Sequence, residues 1–248
     1  MIRILLNGCC GKMGRVISTI VKNHPDLSIV CGIDRITDNS EYPVFKAIEE
    51  CTVASDVILD FSRPDALPSL LKFALGKNIP IVLCTTGFSQ SDITLMKDYS
   101  TKIPVFRSAN MSIGINIINN ILKNISAKLY EDFDIEIIEK HHNQKVDAPS
   151  GTAVLLGDTI KEAISDEIVF VHGRDGYSKR TRNEIGIHSI RGGSIVGEHE
   201  VIFAGQGETI EIKHTAISRE VFGVGALKAC AFMFGKEKGF YSMDDVVK

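Results

Sequence analysis

Between Met1 and about Ser108 five short apolar runs, at residues 2–6, 28–33, 56–61, 79–84 and 104–107, alternate with helical periodicity at 13–22, 65–75 and 90–99. Strands separated by helices join through crossovers, so this half of the chain predicts a parallel sheet wrapped by helices. Beyond it the pattern changes. A long amphipathic helix at 113–129 precedes a strand ending at Glu139, a loop and a further helix, and then strands near 185–190, 198–204 and 209–214. Gly205, Gln206, Gly207 and Glu208 between the last two read as a hairpin connection. This second region is expected to be mixed and antiparallel, and the helical stretch at 219–235 to return to the first domain.

Charge and hydropathy remove several classes of function. The 248 residues carry a net charge of −3 with both signs interspersed, which offers no basic stripe for nucleic acid. No apolar run reaches membrane-spanning length, and the N-terminus enters a strand pattern directly, so a cytoplasmic protein without a membrane partner is expected. The six cysteines lie mostly in or beside apolar strand patterns without CxxC spacing, and are read as reduced, mainly core thiols.

Gly8, Cys9, Cys10, Gly11, Lys12, Met13 and Gly14 follow the first strand and open the first helix. The spacing is GxxGxxG, which serves a tight turn, close approach of a pyrophosphate and close helix-to-strand packing. Asp34 ends the second strand, where an acid can bond a ribose 2′-hydroxyl. Arg35 beside it can pair with a 2′-phosphate, so NADH and NADPH both remain open. Cys84, Thr85, Thr86 and Gly87, like Ser108, Ala109, Asn110 and Met111, lie at the carboxyl ends of later strands, where an open parallel sheet binds its ligand.

The segment from Glu139 to Ala153 gathers His141, His142 and Lys145 on a strand-to-helix loop. Ser150 reads as the N-cap of the following helix, so the amides of Gly151, Thr152 and Ala153 are expected to face outward at its positive end, ready for a carboxylate or phosphate. Lys145 adds a positive charge and the histidines titrate near neutrality. Such a loop can bind an anion and supply a proton. No metal site is expected, because successive strand residues face opposite sides and no cysteine or carboxylate stands at zinc-like spacing.

These motifs together resemble the dihydrodipicolinate reductase (4-hydroxy-tetrahydrodipicolinate reductase) family. The resemblance runs through the glycine turn, residues 56–64 (DVILDFSRP), Thr85 to Phe88, residues 108–116 (SANMSIGIN), the His-His-x-x-Lys-x-Asp-Ala-Pro-Ser-Gly-Thr-Ala segment, residues 191–199 (RGGSIVGEH) and 239–247 (GFYSMDDVV). It implies an α/β protein: a Rossmann-type parallel-sheet domain at 1–110, completed by 217–248, and a mixed α+β domain at 111–216. It further implies catalytic roles for His141 and Lys145, and substrate contacts for His142, Gly151 and Thr152. The nicotinamide cofactor, NADH or NADPH, falls to Gly8, Cys9, Cys10, Gly11, Lys12, Met13, Asp34, Arg35, Cys84, Thr85, Thr86, Ser108, Ala109, Asn110 and Met111. Many relatives have glycine where Cys84 stands, and several have aspartate in place of Ser194.

The implied reaction reduces a cyclic unsaturated imine with two carboxylates in diaminopimelate and lysine biosynthesis, with the proton coming from His141 or Lys145. Two other classes compete with this reading, another Rossmann oxidoreductase and a nucleotide sensor without turnover. A semialdehyde dehydrogenase needs a nucleophilic cysteine in the second domain, which has none, and a sensor has no need of a proton donor. The three late strands are expected to form a small antiparallel sheet with one face left to cover. The family's tetramer is built through that sheet, so a homotetramer is expected, with the cofactor domains outside and free to close over substrate.

Overall fold

Apolar runs without alternation belong to strands buried on both faces, and that is their fate in the computed structural model, which describes residues 1–36, 41–164 and 167–248. In chain order the elements are β1 (Ile2–Asn7), α1 (Lys12–Ile20), β2 (Leu27–Ile33), β3 (Val44–Phe45), β4 (Val57–Asp60), α2 (Leu67–Lys77), β5 (Ile81–Leu83), α3 (Gln90–Ser100) and β6 (Pro104–Arg107). There follow α4 (Ile113–Leu129), β7 (Phe133–His141), α5 (Gly151–Ala163), β8 (Val169–His172), β9 (Glu184–Arg191), β10 (Gly197–Gly205) and β11 (Thr209–Ala216). The chain ends with α6 (Glu220–Met233), β12 (Gly239–Tyr241) and α7 (Met243–Val246). Two compact units result: Met1–Ile113 with Arg219–Lys248, and Gly114–Ser218.

The first unit is Rossmann-like. Its sheet has the order β12-β6-β5-β4-β1-β2-β3, and every pairing in it is parallel. Ile4 and Leu6 point to one side, into a core with Ile17, Ala226, Cys230 and Met233, and so are covered by α1 and α6. Leu5 and Ile58 point to the other, against Leu67, Leu71 and Met96 of α2 and α3. Each such side chain removed from water contributes about 1.5–3 kcal/mol. β3, β12 and α7 were not expected from the sequence; β3 and β12 are edge strands of only 2 and 3 residues, too short to show a period.

The second unit departs from expectation in its pairing. Its sheet has the order β11-β10-β7-β9-β8, with β10 antiparallel to β11 and β7, while β9 runs parallel to β7 and β8. The late strands therefore do not form an antiparallel sheet of their own, since β7 lies between β9 and β10. The strand–helix–strand passage through α5 brings β8 into the sheet running the same way as β7, and the connection after β8 returns the chain again, so that β9 fits between them parallel to both. The expected hairpin after β10 is present, with Ala204 opposite Thr209 and the Gly205 amide on the Glu208 carbonyl at 2.9 Å. Ile118 and Leu122 of α4 and Ala153, Leu156 and Ile160 of α5 cover the sheet face formed by Ile135, Ile137, Ile185, Ile187, Val201 and Phe203. Glu139 and His141 follow Ile137 on that same covered face.

Candidate active site

β7 runs two residues further than its apolar pattern, to His141, and its last inward side chains are polar. Glu139 is fully buried. Its carboxylate accepts bonds from both terminal nitrogens of Arg191 on neighbouring β9 (2.7 Å each), and from the Ser150 amide (3.0 Å), and pairs with His141 Nδ1 (2.6 Å). One carboxylate thus ties together two strands and the start of α5. Burial opposes its charge, but Arg191, His141 and the Ser150 amide outweigh that and hold the carboxyl at about 2. Glu139 is therefore ionised at neutral pH, and an ionised carboxylate accepts the Nδ1 proton of His141, which leaves Nε2 as the ring nitrogen that can exchange a proton.

Ser150 caps α5 as expected, its Oγ accepting from the Ala153 amide at 3.2 Å. That bond corrects one detail, because the Ala153 amide is engaged by the cap and does not face an anion. The Ser150 hydroxyl also pairs with His199 Nε2 on β10 at 3.0 Å, and the His199 ring packs edge-on to His141 with centroids 5.1 Å apart. Burial and the neighbouring His141 push His199 down to about 3, so it stands as a neutral partner. Burial lowers His141 from its ordinary value despite Glu139 beside it. Lys145 is tied within the loop to both carboxylate oxygens of Asp147, at 2.8 and 2.9 Å. His142 is half-buried, Gly151 exposed and Thr152 half-buried at the first turn of α5. The structure thus gathers His141, Lys145, Gly151 and Thr152 onto one loop and helix end. Glu139, Arg191 and His199 are the members to which the sequence reading gave no role, although Arg191 and His199 bound the 191–199 segment of the resemblance and the inversion at Ile138-Glu139 of the in–out pattern of β7 is a local sign.

In the first unit the glycine turn is dictated by close approach. Gly8 has φ +78°, and a Cβ there would lie 2.4 Å from the Phe61 carbonyl oxygen; at Gly14 it would lie 2.3 Å from that of Gly8. Both are collisions with backbone, so no side chain fits. The Cys10 amide donates to Asp34 Oδ2 at 2.9 Å, which fixes the acid at the end of β2 against the turn. Lys12 and Met13 begin α1, where the first amides have no intrahelical acceptor. A cleft of about 590 Å³ is lined by Gly8, Cys10, Gly11, Asp34 and Arg35, among others. Glycines at the floor, a helix start and a carboxylate at the rim fit a dinucleotide. Arg35 is exposed and reaches Asp65 only at 3.5 Å.

The remaining sequence-selected residues divide by direction. Cys84 is buried in the core, where burial raises its thiol well above the ordinary value, and the Thr85 hydroxyl turns inward to Asp60 at 2.7 Å. Thr86 stays exposed. Asp60, fully buried, also accepts from Asn7 and Ser62, and so joins the carboxyl ends of β1 and β4 to the segment after β5. Ser108 Oγ donates to the Asn110 carbonyl at 2.7 Å, and Asn110 Oδ1 accepts from the Ser112 amide at 2.8 Å, leading into α4. Ala109 is exposed, while Met111 belongs to the core. No helix among the described residues is long and apolar enough to cross a membrane.

Comparison with known proteins decides the family. Residues 2–111 match the model described as dihydrodipicolinate reductase, N-terminus, and residues 114–247 that described as dihydrodipicolinate reductase, C-terminus. The chain belongs to the dihydrodipicolinate reductase family. It is an oxidoreductase, and the family's reaction is the NAD(P)H-dependent reduction of 4-hydroxy-tetrahydrodipicolinate in diaminopimelate and lysine biosynthesis. The 4-hydroxy-tetrahydrodipicolinate reductase of Clostridium novyi is 65% identical over 100% of this chain and 99% of its own, and that of Clostridium tetani is 62% identical over 98% and 96%. A dipicolinate-bound dihydrodipicolinate reductase from Paenisporosarcina sp. superposes with a TM-score of 0.83 at 25% identity, covering 99% of both chains.

Proposed function

We propose that the chain reduces its cyclic dicarboxylate on the loop between β7 and α5, with His141 as proton donor and Lys145, His142, Gly151 and Thr152 as the carboxylate holders. Going from 4-hydroxy-tetrahydrodipicolinate to tetrahydrodipicolinate removes the hydroxyl as water and adds one hydride and one proton. The nicotinamide cofactor, when bound, supplies the hydride. The chain's own residues manage the charge and the proton. The observation that carries the reading is the buried Glu139 on His141 Nδ1, because an ionised carboxylate there stabilises the imidazolium whose Nε2–H gives up the proton. In the free chain burial disfavours that imidazolium, and two substrate carboxylates nearby favour it. Substrate binding therefore loads the acid. Lys145 exchanges Asp147 for a substrate carboxylate, and the start of α5 adds its positive end.

For the cofactor, Asp34 and Arg35 support use of both nicotinamides, with NADH at least as good as NADPH. The Asp34 carboxylate suits a free 2′-hydroxyl and repels a phosphate, and exposed Arg35 offsets part of that repulsion. For assembly, the sheet face opposite α4 and α5 supports a homotetramer. Ile138, Ile190 and Ile202 lie on it beside Glu136, Lys140 and His188, and Ile190 keeps 45% of its surface exposed.

The test is a coupled assay in which an upstream synthase makes the substrate from pyruvate and aspartate semialdehyde. Nicotinamide absorbance should fall only with the synthase present, and with both cofactors. Cofactor binding without oxidation would instead mark a sensor.

A further inference from the structure

The glycine turn carries a feature that hydride transfer does not use. Cys9 and Cys10 place their sulfurs 3.8 Å apart. Two metal–thiolate bonds of about 2.3 Å at a tetrahedral angle put their sulfurs about 3.8 Å apart, so the pair is spaced for a single ion. Among the described residues, Cys9, Cys10 and Asp34 form a group whose donor atoms all lie within 4.8 Å of one another. A sulfur and a carboxylate oxygen on the same tetrahedral ion are about 3.5 Å apart, a distance that rotation of the Asp34 side chain covers. The route in is open. Cys10 and Asp34 both line the cleft of about 590 Å³, while Cys9 is only 3% exposed and closes the inner side of the group. The Ile36 carbonyl oxygen lies 3.0 Å from Cys10 Sγ, and it or a water can complete the set.

We propose that Cys9, Cys10 and Asp34 form a binding site for a thiophilic divalent ion of the zinc and cadmium type, and that the ion and the nicotinamide cofactor exclude one another. The exclusion rests on the cofactor reading above, because the Asp34 carboxylate assigned to the ribose is the one that the ion takes. Binding displaces one proton from each thiol, with no change in oxidation state. Two thiolates and a carboxylate select a soft ion over magnesium or calcium. The second close pair, Cys31 and Cys51 at 3.5 Å, is buried away from the cleft and serves as an internal control.

The test is titration of the whole chain with Cd²⁺, read by the ultraviolet thiolate-to-metal charge-transfer band and by equilibrium dialysis. One ion per chain is expected, with the band lost in Cys10→Ser and kept in Cys51→Ser. Asp34→Asn retains both thiols and should bind at least about tenfold more weakly. Saturating NADH should raise the Cd²⁺ concentration needed for half-occupancy. A full band in Cys10→Ser, unchanged affinity in Asp34→Asn, or indifference to NADH would each overturn the proposal. These readings do not depend on turnover, so they stay decisive even if the coupled assay fails to show imine reduction.

Discussion

Replacing Glu139 by glutamine tests the site at its buried centre. Glutamine is nearly isosteric, but it removes the charge that faces Arg191 and sets an NH₂ group against groups that themselves donate. Breaking a buried pair by neutralising one partner costs about 3–5 kcal/mol, and Arg191, with 20% of its side chain exposed, places the loss at the lower end. The pH dependence gives an independent magnitude. Glu139 sits at about 2 in the folded chain against an ordinary 4.5, a difference of about 3 kcal/mol. Because the folded value is the lower one, this stabilisation is complete above about pH 4.5 and fades as pH falls towards 2. Urea denaturation at a series of pH values should therefore show wild type losing up to about 1.4 kcal/mol per pH unit more than Glu139→Gln across that window. Turnover by the variant should also fall, since His141 loses the carboxylate that supports its charged form. Parallel stability curves for the two proteins, or a variant as stable as wild type at pH 7, would refute the reasoning.

Further outcomes follow from the same geometry. His141→Ala and Lys145→Ala should each lower kcat by about 10²–10⁴-fold with cofactor affinity nearly intact; near-normal turnover in both would remove them from the chemistry. With His141 as the acid, kcat/KM in the wild type should decline as pH rises through a value below the ordinary 6.5, a limb that His141→Ala should lack. Asp34→Ala should shift the ratio of kcat/KM values towards NADPH; since it also frees the Cys10 amide, the ratio and not either value alone is the readout. Light scattering at micromolar concentration should give about four times the 27.2 kDa chain mass, falling on Ile138→Asp with Ile202→Asp. A fully active wild-type monomer would contradict the tetramer.

Much of the fold was legible because its signals are local. Periodicity alone places β6 and α4 at their observed bounds, and the GxxGxxG turn is readable since only glycine tolerates backbone at 2.3–2.4 Å from a Cβ position. The loop of His141, Lys145 and the Ser150 cap is likewise contiguous in the chain, so sequence determined its donors and its helix start. Pairing was not legible. Nothing local says that β7 rather than β9 borders β10, since register and neighbour depend on which faces must be buried together. Nor was the centre of the site. Ile138 and Glu139 read as the tail of an alternating strand, yet the sheet turns Ile138 outward and Glu139 inward beneath α5, 52 residues in sequence from Arg191. Whether a carboxylate is an exposed strand end or a buried anchor for a histidine is set by desolvation and by partners from distant strands, and only the tertiary structure supplies those.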